Sequence, residues 1–115
     1  MNNIAFIAEK RELQFFNGKA LINLVFEFVY DDEDGTEQDF GFDGYVSAYF
    51  RVYDEREGQL LKNFTTQITR TGKYLYFNCS VNDMTFEDLG PYEFELGYNR
   101  TGYETVLRYG PLKIV

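Results

Sequence analysis

The sequence predicts an all-β domain built as a sandwich or barrel. Three observations point there. Apolar residues recur with period two through most of the chain. Glycine-bearing turns such as Glu57-Gly58, Thr71-Gly72 and Thr101-Gly102 punctuate these runs, with strands at intervals of roughly 10–15 residues. Helical periodicity is almost absent. With 115 residues and 44% hydrophobic content, the chain forms one domain over residues 1–115 and buries a core without disulfide or metal support.

Taken in order, weak strands are expected at Ile4–Ala8 and Glu12–Phe16, joined by the Asn17-Gly18 turn to a strong one at Ala20–Tyr30. There Ala20, Ile22, Leu24, Phe26, Phe28 and Tyr30 share an apolar face. Tyr45–Tyr53 sets Val46, Ala48, Phe50 and Val52 inward and Tyr45, Ser47, Tyr49, Arg51 and Tyr53 outward. Leu60–Ile68 follows as one strand. Lys73–Val81 turns Leu75, Phe77, Cys79 and Val81 inward and Tyr74, Tyr76, Asn78 and Ser80 outward. Asn82–Leu89 reads as one helical turn capped by Asp83 or Thr85. Strands at Tyr92–Tyr98 and Tyr103–Tyr109 come next, and Gly110-Pro111 separates a last piece, Leu112–Val115. Val46, Ala48, Phe50, Leu75, Phe77, Phe94 and Leu96 are expected to share one core.

Composition narrows the function. Nineteen acidic against eleven basic residues give a net charge of −8, which opposes binding to nucleic acid or an anionic membrane. No stretch approaches the length of a membrane span, and the N-terminus lacks the pattern of a signal peptide; the initial Met leads to the expectation of a complete small protein. The sole cysteine, Cys79, reads as a small buried hydrophobe. The chain has no histidine, which removes His-activated serine or cysteine catalysis and His-ligated zinc. A carboxylate pair for glycoside hydrolysis survives on composition alone, but no acid sits in an apolar context that would raise its pKa. No enzyme and no cofactor are expected. The acidic stretch Asp31–Asp39 is dense in hard oxygen donors, yet it fails the spacing of a calcium-binding helix-loop-helix. A solvated, self-repelling loop is the simpler reading, and calcium binding stays open.

Two features remain as candidate interfaces. Tyr45, Tyr49, Arg51 and Tyr53 on one strand, and Tyr74 and Tyr76 on another, present the residue types enriched at protein interfaces and on sugar platforms. Ordinary cross-strand aromatic pairing explains them equally well.

The run Asp88-Leu89-Gly90-Pro91-Tyr92 resembles the Asp-x-Gly-x-Tyr corner ahead of strand F in immunoglobulin domains, with Asp88, Gly90 and Tyr92 as the structural corner. Phe94 stands where antibody domains carry a cysteine, and the chain has no tryptophan, so the likeness is to the broad architecture. It implies an immunoglobulin-like antiparallel β-sandwich of seven to nine strands. From Gly44 to Val115 the order of features, including Leu89-Gly90-Pro91-Tyr92-Glu93-Phe94-Glu95-Leu96 and Gly110-Pro111-Leu112-Lys113-Ile114, resembles the immunoglobulin-like modules of tailed-bacteriophage virion proteins. Those modules include small auxiliary capsid proteins and the N-terminal domain of baseplate upper proteins. The resemblance implies a structural virion protein without chemistry. An auxiliary, decorating capsid protein on the assembled shell fits best, with the major capsid protein as partner and the isolated chain monomeric or weakly self-associating. A baseplate or tail module is the alternative, and a carbohydrate-binding β-sandwich using exposed tyrosines is a third.

Overall fold

The computed structural model describes residues 9–15, 21–86 and 90–114. The predicted Ile4–Ala8 strand, the Asn17-Gly18 turn, Ala20, Asp88 and Leu89 lie outside them. The described residues are all-β apart from one 3-10 turn, and they form a sandwich-like pair of sheets with a small hairpin attached.

The larger sheet takes its strands from both ends of the chain. Its strands are β1 (Glu9–Lys10), β2 (Leu13–Phe15), β6 (Tyr45–Asp54), β7 (Leu60–Phe64), β10 (Tyr92–Arg100) and β11 (Tyr103–Ile114). The order is β1-β11-β10-β6-β7, with β2 continuing along β11. The smaller sheet is β3 (Leu21–Glu27), β9 (Tyr74–Ser80) and β8 (Ile68–Thr71), in the order β3-β9-β8. Strands β4 (Val29–Asp31) and β5 (Glu37–Asp39) make the hairpin.

The expectation of a purely antiparallel fold is corrected at one edge. Strands β1 and β2 run parallel to β11, with Arg11 N–H donating to the Tyr109 carbonyl at 2.8 Å between them. Gly110 permits this approach. It has φ +152° and is buried, and a Cβ there would collide with the Arg11 carbonyl. A single strand therefore runs through Gly110-Pro111, where a break was expected.

Two predicted strands divide instead. Ala20–Tyr30 breaks at Phe28, whose N–H donates to the Lys73 carbonyl at 2.9 Å, so that β4 turns away into the hairpin. Leu60–Ile68 bends at residues 65–67 and crosses from one sheet to the other, with Phe64 and Ile68 buried on either side of the bend. Eleven strand segments result among the described residues, more than the seven to nine expected. The 3-10 turn Val81–Met84 is capped at its start by the Ser80 hydroxyl, which accepts from Asp83 N–H, in place of Asp83 or Thr85; Thr85 stands at its C-cap.

The acidic stretch is an ordered hairpin turn. Asp32 Oδ1 accepts from the N–H groups of Asp34 (2.9 Å) and Thr36 (3.0 Å), and Oδ2 accepts from Gln38 Nε2 at 3.1 Å. These bonds, the one from Thr36 N–H first, hold the Asp32 carboxyl below the usual range. Among the described residues no group of three acidic or cysteine side chains is placed to hold a metal ion.

One buried cluster joins the sheets. Phe50 of the larger sheet stacks on Phe77 of the smaller at 4.5 Å and lies parallel to Phe94 at 5.7 Å. Ala48, Leu75 and Leu96 belong to the same cluster, as expected. Cys79 is buried there too, and its thiol is pushed up to about 11, mainly by burial and then by the charge of Asp83. Val46 does not join. It is 63% exposed because β6 carries one extra residue opposite the Asn99/Arg100 step of β10. That bulge reverses the alternation at the start of β6. Tyr45 turns to the core side, where it stacks on Tyr98 at 6.0 Å, and Val46 turns outward.

Candidate functional site

Strand pairing fixes which side chains share the outer face of the larger sheet. One row reads Leu60, Tyr53, Glu93, Pro111, and the next Asn63, Arg51, Glu95, Tyr109, Lys10. Beyond these come Tyr49, Gly97, Val106 and then Ser47, Asn99, Glu104. Arg51, Tyr53 and Tyr49 thus lie on one face as expected. Tyr45 does not, for the reason given above.

Tyr49 is on the expected face but is fully buried, at 0% exposure. Three features cover it. Gly97 lies opposite on β10, and a Cβ there would collide with the Thr105 carbonyl and with the Tyr49 ring. The ring therefore occupies space that only a glycine leaves open. Above it, the Arg51 guanidinium stacks 3.9 Å from the ring centroid. The Tyr49 hydroxyl donates to Glu95 Oε1 at 3.2 Å. An exposed docking tyrosine at this position is thereby corrected: Tyr49 is part of the sheet's packing.

Arg51 is held as firmly. Its Nη1 and Nη2 donate to Glu104 Oε2 and Oε1 at 2.8 and 2.6 Å, a two-pronged contact, and Nη1 lies 3.6 Å from Glu95. Burial first, then the charges of Glu95 and Glu104, push the Tyr49 phenol well up, so it remains a neutral donor. The hydrogen bond to Glu104 raises Arg51 further still. Asn99 Nδ2 donates to Ser47 Oγ at 3.1 Å, completing a face whose central polar groups bond one another.

The hydrogen bond from Arg51 holds the Glu104 carboxyl below the usual carboxylate range. A carboxyl with a depressed folded-state pKa stabilises the fold above its unfolded value, near 4.3, and that contribution is lost as pH falls through the folded value. Glu104 is 44% exposed, so solvent screening limits the contribution to about 0.2–1 kcal/mol. Glu104→Gln is expected to lower the urea midpoint at pH 7, and the gap to wild type should close as pH falls below about 4. A gap unchanged between pH 7 and pH 3 would show that charge plays no part.

Tyr74 and Tyr76 lie on the outer face of the smaller sheet, half-buried, with ring centroids 6.0 Å apart. The two predicted tyrosine stripes therefore occupy opposite sheets. At the corner, Tyr92 is buried and stacks on Phe86 at 4.3 Å. Gly90, at φ +102° before a cis Pro91, packs directly against it: a Cβ on Gly90 would sit 2.9 Å from the Tyr92 ring. Asp88 lies outside the described residues.

Sequence reasoning missed Glu95, Gly97 and Glu104. A glycine inside an alternating strand marks a close approach or a bulge, and Gly97 is both, since the β10–β11 register shifts beside it. That signal was present in the sequence. The pairing of Arg51 with Glu104, 53 residues away, was not.

No protein-family model matches the chain, and a search of curated proteins finds no match either.

Proposed function

We propose that the chain is an immunoglobulin-like module acting as a non-enzymatic structural component of a bacteriophage particle. On this reading it decorates the assembled shell and docks on the major capsid protein with the outer face of its larger sheet. The strand order supports the architecture. The order β3-β9-β8 corresponds to strands B, E and D of an immunoglobulin domain, and β7-β6-β10-β11 to C′, C, F and G. The packed Gly90–Tyr92 corner at the start of β10 agrees with it.

The observation that carries the docking reading is the distribution of exposed apolar side chains. Among the described residues six large hydrophobics are exposed. Val46, Leu60 and Tyr109 stand on the outer face of the larger sheet, Leu61 and Tyr103 belong to the same sheet away from those rows, and only Val25 belongs to the smaller. Leu60 and Tyr109 flank the rigid Arg51–Glu104 clamp, so a partner meets apolar anchors on a platform that needs no reordering.

The test is co-sedimentation of the protein with particles that lack it. Leu60→Ser combined with Tyr109→Ala is expected to lower occupancy about tenfold at sub-saturating protein, the effect of truncating interface anchors. Equal occupancy by a folded double variant would refute docking through this face.

A further inference from the structure

The outer face of the smaller sheet differs in kind from that of the larger. Its rows are Asn23–Asn78, Val25–Tyr76–Thr69 and Glu27–Tyr74–Thr71. Asn23, Asn78, Thr69 and Thr71 are exposed, and the two tyrosines are half-buried. Among the described residues, these four side chains and both tyrosine hydroxyls have no hydrogen-bond partner. On the larger sheet the corresponding central groups are bonded to one another. Here amide and hydroxyl donors and acceptors surround two aromatic rings and stay available.

Charge selects the ligand. Among the described residues Glu27, at the margin, is the one charged residue within these rows; it lies 4.0 Å from Lys73, whose ammonium sits 5.5 Å from the Tyr74 ring centroid. Lys73 also pairs with Asp39 of the acidic hairpin at 3.4 Å, placing carboxylates beside the Tyr74 end. Six of the chain's acids lie in residues 31–39, with no Lys or Arg among them. An anionic polymer is repelled from that end, and past Asn78 at the other end Ser80 is bonded to the exposed Asp83 carboxylate at 3.0 Å, so there too the neighbouring charge is negative. What fits is an uncharged molecule with apolar C–H faces to lie on the tyrosines and hydroxyls to bond Asn and Thr side chains.

We infer that the outer face of the β3-β9-β8 sheet binds a neutral polysaccharide, with Tyr76 and Tyr74 as stacking platform and Asn78, Asn23 and Thr69 as hydrogen-bonding rim. This site is independent of the docking face and of the virion reading.

The experiment is native affinity electrophoresis of the whole protein through gels containing dextran, mannan or galactan, with alginate as an anionic control. At least one neutral polymer is expected to retard the wild type. Tyr76→Ala should reduce the retardation roughly tenfold, as expected for loss of an aromatic anchor. Asn78→Ala, on an exposed position less prone to disturb folding, should reduce it in the same direction, and Tyr109→Ala on the other sheet should leave it unchanged. Thermal midpoints confirm that each variant is folded. The inference is overturned if none of the three neutral polymers retards the protein, or if alginate alone does. It is equally overturned if folded Tyr76→Ala and Asn78→Ala migrate like wild type, or if Tyr76→Ala instead lowers particle occupancy without changing retardation, which would make this face a protein-docking surface.

Discussion

Phe50→Ala is expected to remove roughly 3–5 kcal/mol of stability, the range for truncating a buried phenylalanine. Phe50 is fully buried and touches aromatic neighbours in both sheets: Phe77 across the sandwich, Phe94 beside it and Phe64 at 6.3 Å. Its loss leaves a cavity where the sheets meet, and rings pinned by their own strands collapse into it poorly. A domain of this size has only about 5–15 kcal/mol in hand, so the substitution consumes a large share. Urea denaturation monitored by circular dichroism reads the effect. A midpoint unchanged from wild type would mean that the two sheets do not share this core.

Gly110→Ala has the second largest expected effect, roughly 2–5 kcal/mol, from overpacking together with the strain of a side chain at φ +152°. The new Cβ meets the Arg11 carbonyl, a backbone atom that no rotamer change moves aside. Either β11 distorts or residues 9–15 leave their place along it. The second outcome is specific. The Arg11 amide, bonded to the Tyr109 carbonyl in the wild type, should lose its protection against hydrogen exchange before the amides of β6 and β10 do. A fully protected Arg11 amide in a variant as stable as wild type would contradict the tight parallel pairing.

The sheet faces were legible because alternation is a local property. Ala48, Phe50, Leu75, Phe77, Phe94 and Leu96 are all in the core where period two puts them. Legibility ended where register changed. One extra residue in β6 moved Tyr45 inward and Val46 outward, and no pattern within Tyr45–Tyr53 announces it, because the bulge is defined against Asn99 and Arg100 of another strand. Tyr49 shows a second limit. Alternation assigns a face but not what covers it, and its burial depends on Gly97, Arg51 and Glu95 arriving from two strands. The division of Leu60–Ile68 was hidden for a related reason. Phe64 and Ile68 satisfy one apolar pattern while serving different sheets, and only packing separates them. From alternation alone the candidate site is a stripe of outward tyrosines around Arg51, open equally to an interface or to cross-strand pairing, whereas on the larger sheet it is a clamp with apolar flanks.

The parallel alignment of β1 and β2 with β11 also sets how the molecule responds to mechanical load. Tension entering ahead of Glu9 and leaving beyond Ile114 pulls the two segments in opposite directions along their shared ladder. The pairs Glu9–Arg108, Lys10–Tyr109, Leu13–Leu112, Gln14–Lys113 and Phe15–Ile114 are then strained in shear, together rather than one after another. An antiparallel hairpin loaded at its open end would instead unzip bond by bond. Resistance to stretching follows the barrier to rupture and not the equilibrium stability. A domain held by this ladder can therefore be modest in free energy and still withstand a pull along its chain.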